Sequence, residues 1–306
     1  MRELTRRWRP GRPVDLDATL GSLRRGSGDP AYRRVDGAVW RATRTPEGVA
    51  TMRLAVRPGA GEVEASAWGP GASWGLDRLP ALLGGDDDPT GFAPQHPLLR
   101  EVWRRHPGWR VPRTGLVLEA LVPSVLEQKV TGREAWRAWR HLVRRYGEAA
   151  PGPDDVLPAG LRVPPGAEAW RRVPSWEWHR AGVDRARSAT VVAAAAVAGR
   201  LEEAVSLPAD EAARRLRAVP GIGAWTAAEV AQRALGDADA VSVGDYHLPA
   251  MVGWALTGRK VDDEGMLALL EPYRGHRYRA VRLVELSGVA PPRRGPRFAG
   301  RDFRAI

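Results

Sequence analysis

Hydrophobic and polar positions follow two regimes along the chain. Up to about residue 90 the apolar residues alternate with polar ones or come in β-branched runs, as in Val39–Ala42, Ala50–Val56 and Glu62–Trp68. The turn sequences Thr45-Pro-Glu-Gly48 and Arg57-Pro-Gly-Ala-Gly61 separate these runs. The pattern predicts a small antiparallel sheet with helices over Leu16–Arg25 and Gly75–Leu83, an α+β domain over residues 1–92. The run Gly84-Gly-Asp-Asp-Asp-Pro-Thr-Gly91 reads as a linker or loop. From about Pro97 the apolar spacing changes to three and four, the helical period. Helices are predicted over Leu116–Glu127, Glu134–Tyr146, Arg185–Arg200, Ala224–Leu235, Tyr246–Leu256, Asp262–Leu270 and Arg277–Leu286. A further helix starts at Pro208-Ala-Asp-Glu, with acids in its first turn where the helix dipole favours them. Gly236 is placed to terminate the helix that precedes it. Residues 150–166 are rich in Pro and Gly and read as loop. The fold class is α+β: a small sheet domain, a helical region over 93–290, and a basic, disordered tail over 291–306. No internal repeat is present.

Charge adds a partner class. The 306 residues carry 47 Lys plus Arg against 36 Asp plus Glu, a net +11, which favours a polyanion such as nucleic acid. Only Lys129 and Lys260 are lysine. GC-rich coding bias accounts for the preference for Arg over Lys, but less readily for the net excess. With no cysteine, disulfides, thiolate zinc sites and iron–sulfur clusters are excluded. The six histidines form no HxxxH or HExxH pattern, which argues against a zinc hydrolase. The Arg-rich N-terminus has no apolar core segment and no run of about 18 apolar residues occurs, so a soluble, cytoplasmic protein is expected, with no membrane partner.

The chemistry concentrates in two stretches. In Leu216-Arg-Ala-Val-Pro-Gly-Ile-Gly-Ala-Trp-Thr-Ala-Ala228, two helices meet at Val219-Pro-Gly-Ile-Gly223. The glycines permit a tight turn and close approach of another chain, and they leave the amides of the second helix facing outward. Such a helix start accepts a DNA phosphate without reading sequence. About twenty residues later, the apolar run in Ala240-Val-Ser-Val-Gly-Asp-Tyr-His-Leu-Pro249 delivers Asp245 to the start of a helix. Alone, Asp245 reads as a helix cap; with the hairpin upstream, it becomes a candidate catalytic carboxylate.

This hairpin-plus-Asp pattern resembles the helix-hairpin-helix Gly/Pro-Asp superfamily of DNA glycosylases, and within it the AlkA-type 3-methyladenine glycosylases. The likeness extends to His106-Pro-Gly-Trp-Arg-Val-Pro112, Leu121-Val-Pro-Ser-Val-Leu-Glu-Gln-Lys-Val130 and Arg140-His-Leu-Val-Arg-Arg-Tyr-Gly-Glu148, and covers most of residues 15–288. It implies two helical subdomains flanking an active-site cleft and a monomer that binds double-stranded DNA with a damaged base, associated with the nucleoid. The damaged base, an alkylated purine by the resemblance, is flipped out of the stack and its N-glycosidic bond hydrolysed. Asp245 would stabilise the oxocarbenium-like sugar. Trp225 would stack on the base, in a pocket shared with Gln128, Glu229, Tyr246 and Glu285. Lys129 takes the wedge position, and Pro220, Gly221, Ile222, Gly223 and Thr226 meet the DNA. The carbonyls of Arg217, Val219 and Ile222 would hold a monovalent cation, Na or K; no other cofactor is required.

The chain departs from the family pattern at two positions. Glu229, one turn after Trp225, stands where an aromatic is expected, and so does Glu285. Both either accept hydrogen bonds from the base or, in the bland reading, face solvent or pair with an Arg. Some members carry a Schiff-base lysine where this chain has Trp225, so the resemblance implies base removal without strand nicking. A non-catalytic lesion-binding protein, or a glycosylase with lyase activity through Lys129, remain the alternatives. The other tryptophans, Trp136, Trp139, Trp176 and Trp178, read as core or surface packing.

Overall fold

The computed structural model describes residues 2–292. The tail expected over 291–306 therefore lies, from residue 293 on, outside the described residues.

Five strands form one antiparallel sheet: β1 (Leu4–Trp8), β2 (Tyr32–Val35), β3 (Ala38–Thr45), β4 (Gly48–Arg57) and β5 (Glu62–Trp68), in the order β1-β5-β4-β3-β2. The two predicted turns close the β3–β4 and β4–β5 hairpins, pairing Arg41 with Met52 and Leu54 with Ala65. One face packs Val39, Met52, Leu54, Val63 and Ala65 against α1 (Leu16–Leu20), α2 (Ala72–Asp77) and α3 (Leu79–Leu82). The other carries Trp40 stacked on Trp68 at 5.7 Å. That face is covered by Leu161 and Val163 from the stretch 150–166 read as loop, whose β7 (Arg162–Val163) pairs with β6 (Glu148–Ala149), just ahead of that stretch, in a two-stranded ribbon. Both faces of the sheet are thus covered, and seven of the eight residues of β3 are buried, its arginine and threonine positions largely included. The edge strands β1 and β2 were not predicted. Their sequences, LTRRW and YRRV, place arginines on sheet edges, where charge is common.

The helices divide into two cores. The first gathers α5 (Val117–Leu126), α6 (Gly132–Tyr146), α7 (Ala167–Arg172), α8 (Ser175–Ala181), α9 (Arg185–Ala196), α10 (Ala198–Glu202), α11 (Ala209–Arg217) and α12 (Ala224–Val230). Trp139, Trp170 and Trp178 stack inside it, while Trp176 is 66% exposed, as the packing reading of the tryptophans expects. The second gathers α4 (Pro97–Arg105) with α13 (Leu248–Thr257), α14 (Asp263–Leu270) and α15 (Arg277–Ser287). The helical region thus leaves the second core after α4, builds the first, and returns through residues 236–247. The run over Gly84–Gly91, read as a linker or loop, is an anchored turn. Asp87 accepts from the fully buried Arg279 at 2.7 and 2.9 Å, and that guanidinium lies over the rings of Phe92, Trp103 and Trp109. The sheet domain is fixed to the first core by Arg41–Glu119 (2.7 Å), Arg25–Glu127 (3.1 Å) and the bond from Trp139 Nε1 to Asp29 (2.9 Å). Among the described residues no helix is long and apolar enough to cross a membrane, and no cluster of His, Asp and Glu suits a metal ion.

Candidate active site at the junction of the helical cores

The hairpin is built by alternating burial. Val219 and Ile222 are 6% and 5% exposed and plug the first core, whereas Pro220, Gly221, Gly223 and Ala224 face outward. The two glycines do different work. Gly221 has φ +87°, and a Cβ there would stand 2.0 Å from Thr190 Oγ1, so no other residue fits. Gly223 has φ −91° and open space around the missing Cβ, which leaves the start of α12 accessible.

Asp245 lies in the connection that carries the chain back to the second core. Its Oδ1 accepts from the backbone N–H groups of His247 (2.7 Å) and Leu248 (2.8 Å), so it serves amides at the start of α13 as a cap would, although the N-cap position itself is His247, two residues on. Its Oδ2 accepts from Trp225 Nε1 at 2.9 Å, and a cap alone does not require this bond. Because Trp225 is two residues past Gly223, the carboxylate stands beside the hairpin turn. The indole N–H is engaged, and the ring is only half-buried.

The segment around Lys129, expected to carry the wedge, is equally constrained. Glu202 accepts from the N–H groups of Val117 and Leu118, both at 2.8 Å, at the start of α5; burial raises its pKa despite those bonds. Buried Arg187 donates to the Leu126 carbonyl at the other end (2.8 Å). Just beyond, Gln128 Nε2 donates to Gly221 O (3.0 Å) and Thr226 Oγ1 (2.8 Å), tying the segment to the hairpin. Lys129 follows, exposed, with φ +55°, a conformation few non-glycine residues hold without a reason. The loop then closes into the Thr131–Glu134 capping box of α6.

Three of the expected pocket residues stand differently from the expectation. Glu229 presents no free carboxylate: Oε1 accepts from Ser242 Oγ (2.6 Å), Oε2 pairs with Arg233 Nη1 (2.8 Å), and its side chain is 12% exposed. The pairing alternative is the one observed, for the simple reason that Arg233 is four residues on, across the same helix face. Glu285 pairs with Arg282 at 2.6 Å. Tyr246 is 85% exposed, edge-on to His247, and points to solvent. By contrast Thr226, at 2% exposed, is a buried partner of Gln128, away from any outer DNA surface. Around Glu229 the charges interlock. Burial alone would lower Arg233, but Glu229, Tyr278, Glu127 and Glu285 outweigh it and raise its pKa. Burial raises Tyr278. Residues that sequence reasoning missed are Gln232 and Ser242, each 3% exposed. The only sequence signal is a polar residue inside an apolar run, as in Val241-Ser-Val243. After α12 the helix widens into a π-type turn over Ala231–Leu235, which carries Gln232 and Arg233.

No family model matches the sequence. A curated relative from Mycobacterium tuberculosis, described as a probable bifunctional transcriptional activator/DNA repair enzyme AlkA, is 34% identical over 178 residues. The match takes in 56% of this chain, and the chain spans only 34% of that relative's length. Among solved structures, the 3-methyladenine DNA glycosylase of Archaeoglobus fulgidus superposes with a TM-score of 0.73 at 18% identity, over 92% of this chain and 98% of that one. The 8-oxoguanine glycosylase/lyase of Clostridium acetobutylicum gives 0.67 at 12% identity, over 90% and 93%. In sequence the chain resembles an AlkA-type repair enzyme, and it has the fold of the helix-hairpin-helix DNA glycosylases.

Proposed function

We propose that the chain is a DNA glycosylase that removes a damaged base, an alkylated purine in our reading, by hydrolysis of its N-glycosidic bond. The observation that carries the proposal is the carboxylate of Asp245 held 2.9 Å from Trp225 Nε1, beside a hairpin whose outward face is backbone. In this reading the amides after Gly223 take a phosphate, and Lys129 fills the space the flipped nucleotide leaves, with its stem in the stack and its ammonium at the backbone. Trp225 offers its ring to the base. Asp245 places negative charge beside the sugar as its bond to the base breaks, and orients the attacking water. The helix-terminal carbonyl of Arg217 and the turn carbonyls of Val219 and Ile222 would hold a monovalent cation, which would brace the turn; Gly221 O already accepts from Gln128. Because Trp225 occupies the position of the family's Schiff-base lysine, strand nicking is not expected. The protein would act as a monomer on double-stranded DNA.

The test is base release from duplexes carrying methylated, oxidised or deaminated bases, wild type against Asp245→Asn. Asparagine keeps a capping oxygen but turns an amide toward the Trp225 N–H. Release should fall by about two orders of magnitude or more, the scale of losing one electrostatic stabiliser, with DNA affinity little changed. Full activity in Asp245→Asn on a verified substrate would reduce Asp245 to a cap. Borohydride treatment should trap no covalent adduct; a trapped adduct would favour lyase chemistry through Lys129.

A further inference from the structure

Polar side chains buried beneath Asp245 form a second layer of contacts. Gln232 Nε2 donates to Ala240 O (2.8 Å) and to Ser242 Oγ (2.9 Å). The Ser242 hydroxyl in turn donates to Glu229 Oε1 at 2.6 Å. Glu229 is held by Arg233, which also donates to the Glu229 carbonyl (2.9 Å) and, through Nε, to Ser22 O in the sheet domain (3.0 Å). The turn that delivers Asp245 begins at the same serine, because Asp245 N–H donates to Ser242 O (3.3 Å). Gly244, at φ +88°, is gripped from the opposite side by both oxygens of Asp263 at 3.1 Å.

We infer that Glu229 and Ser242 are positioning residues for Asp245: the carboxylate where the family has an aromatic binds the catalytic loop to the hairpin helix instead of binding the base. The inference rests on the glycosylase reading above. The geometry explains why an acid is tolerated here. Arg233 compensates its charge in place, and both oxygens are satisfied, so the group adds a fixed acceptor without adding net charge. A loop held at its start by α12, at Gly244 by α14 and at its carboxylate by Trp225 has little freedom left. An error of about 1 Å in a catalytic group can cost up to about a hundredfold in rate.

The experiment measures single-turnover base release and, separately, DNA affinity, on at least two lesions that the wild type processes. Ser242→Ala removes only the hydroxyl and leaves the Glu229–Arg233 pair and the Gln232–Ala240 bond intact. Glu229→Ala is the harsher change, since it leaves Arg233 buried without its partner. Ser242→Ala should slow base release roughly tenfold, by equal factors on every lesion, with affinity unchanged, the misplacement expected of a loosened loop. Combining Ser242→Ala with Glu229→Ala should cost much less than the product of the two losses, because one chain of bonds is broken twice. The inference is overturned if Ser242→Ala releases base at the wild-type rate, or if Glu229→Ala changes the ratio between lesions more than the common rate, which would make Glu229 a base contact. A wild type that releases no base from any lesion, or an Asp245→Asn variant that remains active, would sink the glycosylase reading itself, a result distinct from an unaffected Ser242→Ala.

Discussion

The hairpin turn and the Asp245 loop are linked through Trp225, two residues past the turn, whose Nε1 donates to Asp245 Oδ2, yet they are made in opposite ways. The turn over residues 219–223 is held mainly from within by two apolar residues, with one side-chain bond from Gln128 to Gly221 O, and its outer face is largely backbone. The loop over 240–247 is held from outside by side chains of Trp225, Glu229, Gln232 and Asp263. In the proposed glycosylase reading the difference follows from the tasks. Amides that are to bind a phosphate must stay uncovered, so side chains there would be a hindrance. A carboxylate that is to meet a developing charge must be fixed within a fraction of an ångström, so side-chain contacts are what it would require.

The largest effects should come from the turn's interior. Gly221→Ala combines a left-handed φ with a Cβ 2.0 Å from Thr190 Oγ1. Roughly 2 kcal/mol or more of stability should be lost, the range for a strained backbone with a buried clash. Thermal or denaturant unfolding checks this, and Thr190→Ala in the same chain should recover only part, since the φ remains wrong. A Gly221→Ala protein as stable as wild type would mean that the turn is soft, contrary to the contrast drawn above.

The outer face should respond differently. Gly223→Leu meets open space, so the melting temperature should hardly move. Affinity for damaged and undamaged duplex should fall together, by about tenfold if one phosphate contact is blocked. Wild-type affinity should itself drop tenfold or more between about 50 and 200 mM salt, because several counterions are released. A loss confined to damaged DNA would instead place Gly223 in the base pocket. A third variant probes the wedge. Lys129 holds φ +55° at the tip that Gln128 ties to the hairpin. Lys129→Gly suits that backbone, so stability should be kept within about 1 kcal/mol. Base release should nevertheless slow, by roughly tenfold as an expectation for losing the side chain that stabilises the extruded state. Stability and rate falling together would make Lys129 structural.

These regions were not equally legible in the sequence. Gly221 is dictated by backbone geometry, which a sequence displays directly, whereas Gly223 has an ordinary φ and open space around it; the Asp245 position follows from its distance to the hairpin. The paired state of Glu229 was available as the i, i+4 relation to Arg233, but choosing it over base contact needed the position of Ser242, thirteen residues on. Gln232 and Ser242 show locally only as polar residues in apolar runs, because their partners are set by how the loop folds back. Strands β1 and β2 were missed for a related reason: their arginines suit solvent-side edges and mask the alternation. The stretch 150–166 was read as loop because its Pro and Gly content describes its turns and not the Leu161 and Val163 it places on the sheet.

The smallest expected effect concerns the outer end of the Asp245 connection. Asp239 accepts from Arg277 Nε and from the Arg277 backbone N–H, both at 2.9 Å, and the next ladder contact runs from Arg279 N–H to Ala238 O (3.1 Å). Burial by itself raises the Asp239 carboxyl, but the hydrogen bonds from Arg277 outweigh it and hold it below the usual carboxylate range. The sign follows from linkage. A carboxylate whose folded pKa lies below its unfolded one stabilises the fold fully above the unfolded value, near 3.9, and the contribution shrinks as pH falls from there through the folded value. Asp239→Asn should therefore lower stability at neutral pH and flatten the acid limb below about pH 4. About a quarter of each side chain is exposed, so the loss should stay under about 1 kcal/mol after solvent screening. Denaturant midpoints measured between neutrality and pH 3 in both proteins check this, with single-turnover base release measured at neutral pH as the companion. If the side chains at Glu229 and Ser242 are what fix Asp245, the Asp239 variant should release base at nearly the wild-type rate. A rate loss as large as that of Ser242→Ala would move the control of the carboxylate from the hairpin helix to α15, and the contrast between a turn braced from within and a loop held by α12 would have to be redrawn.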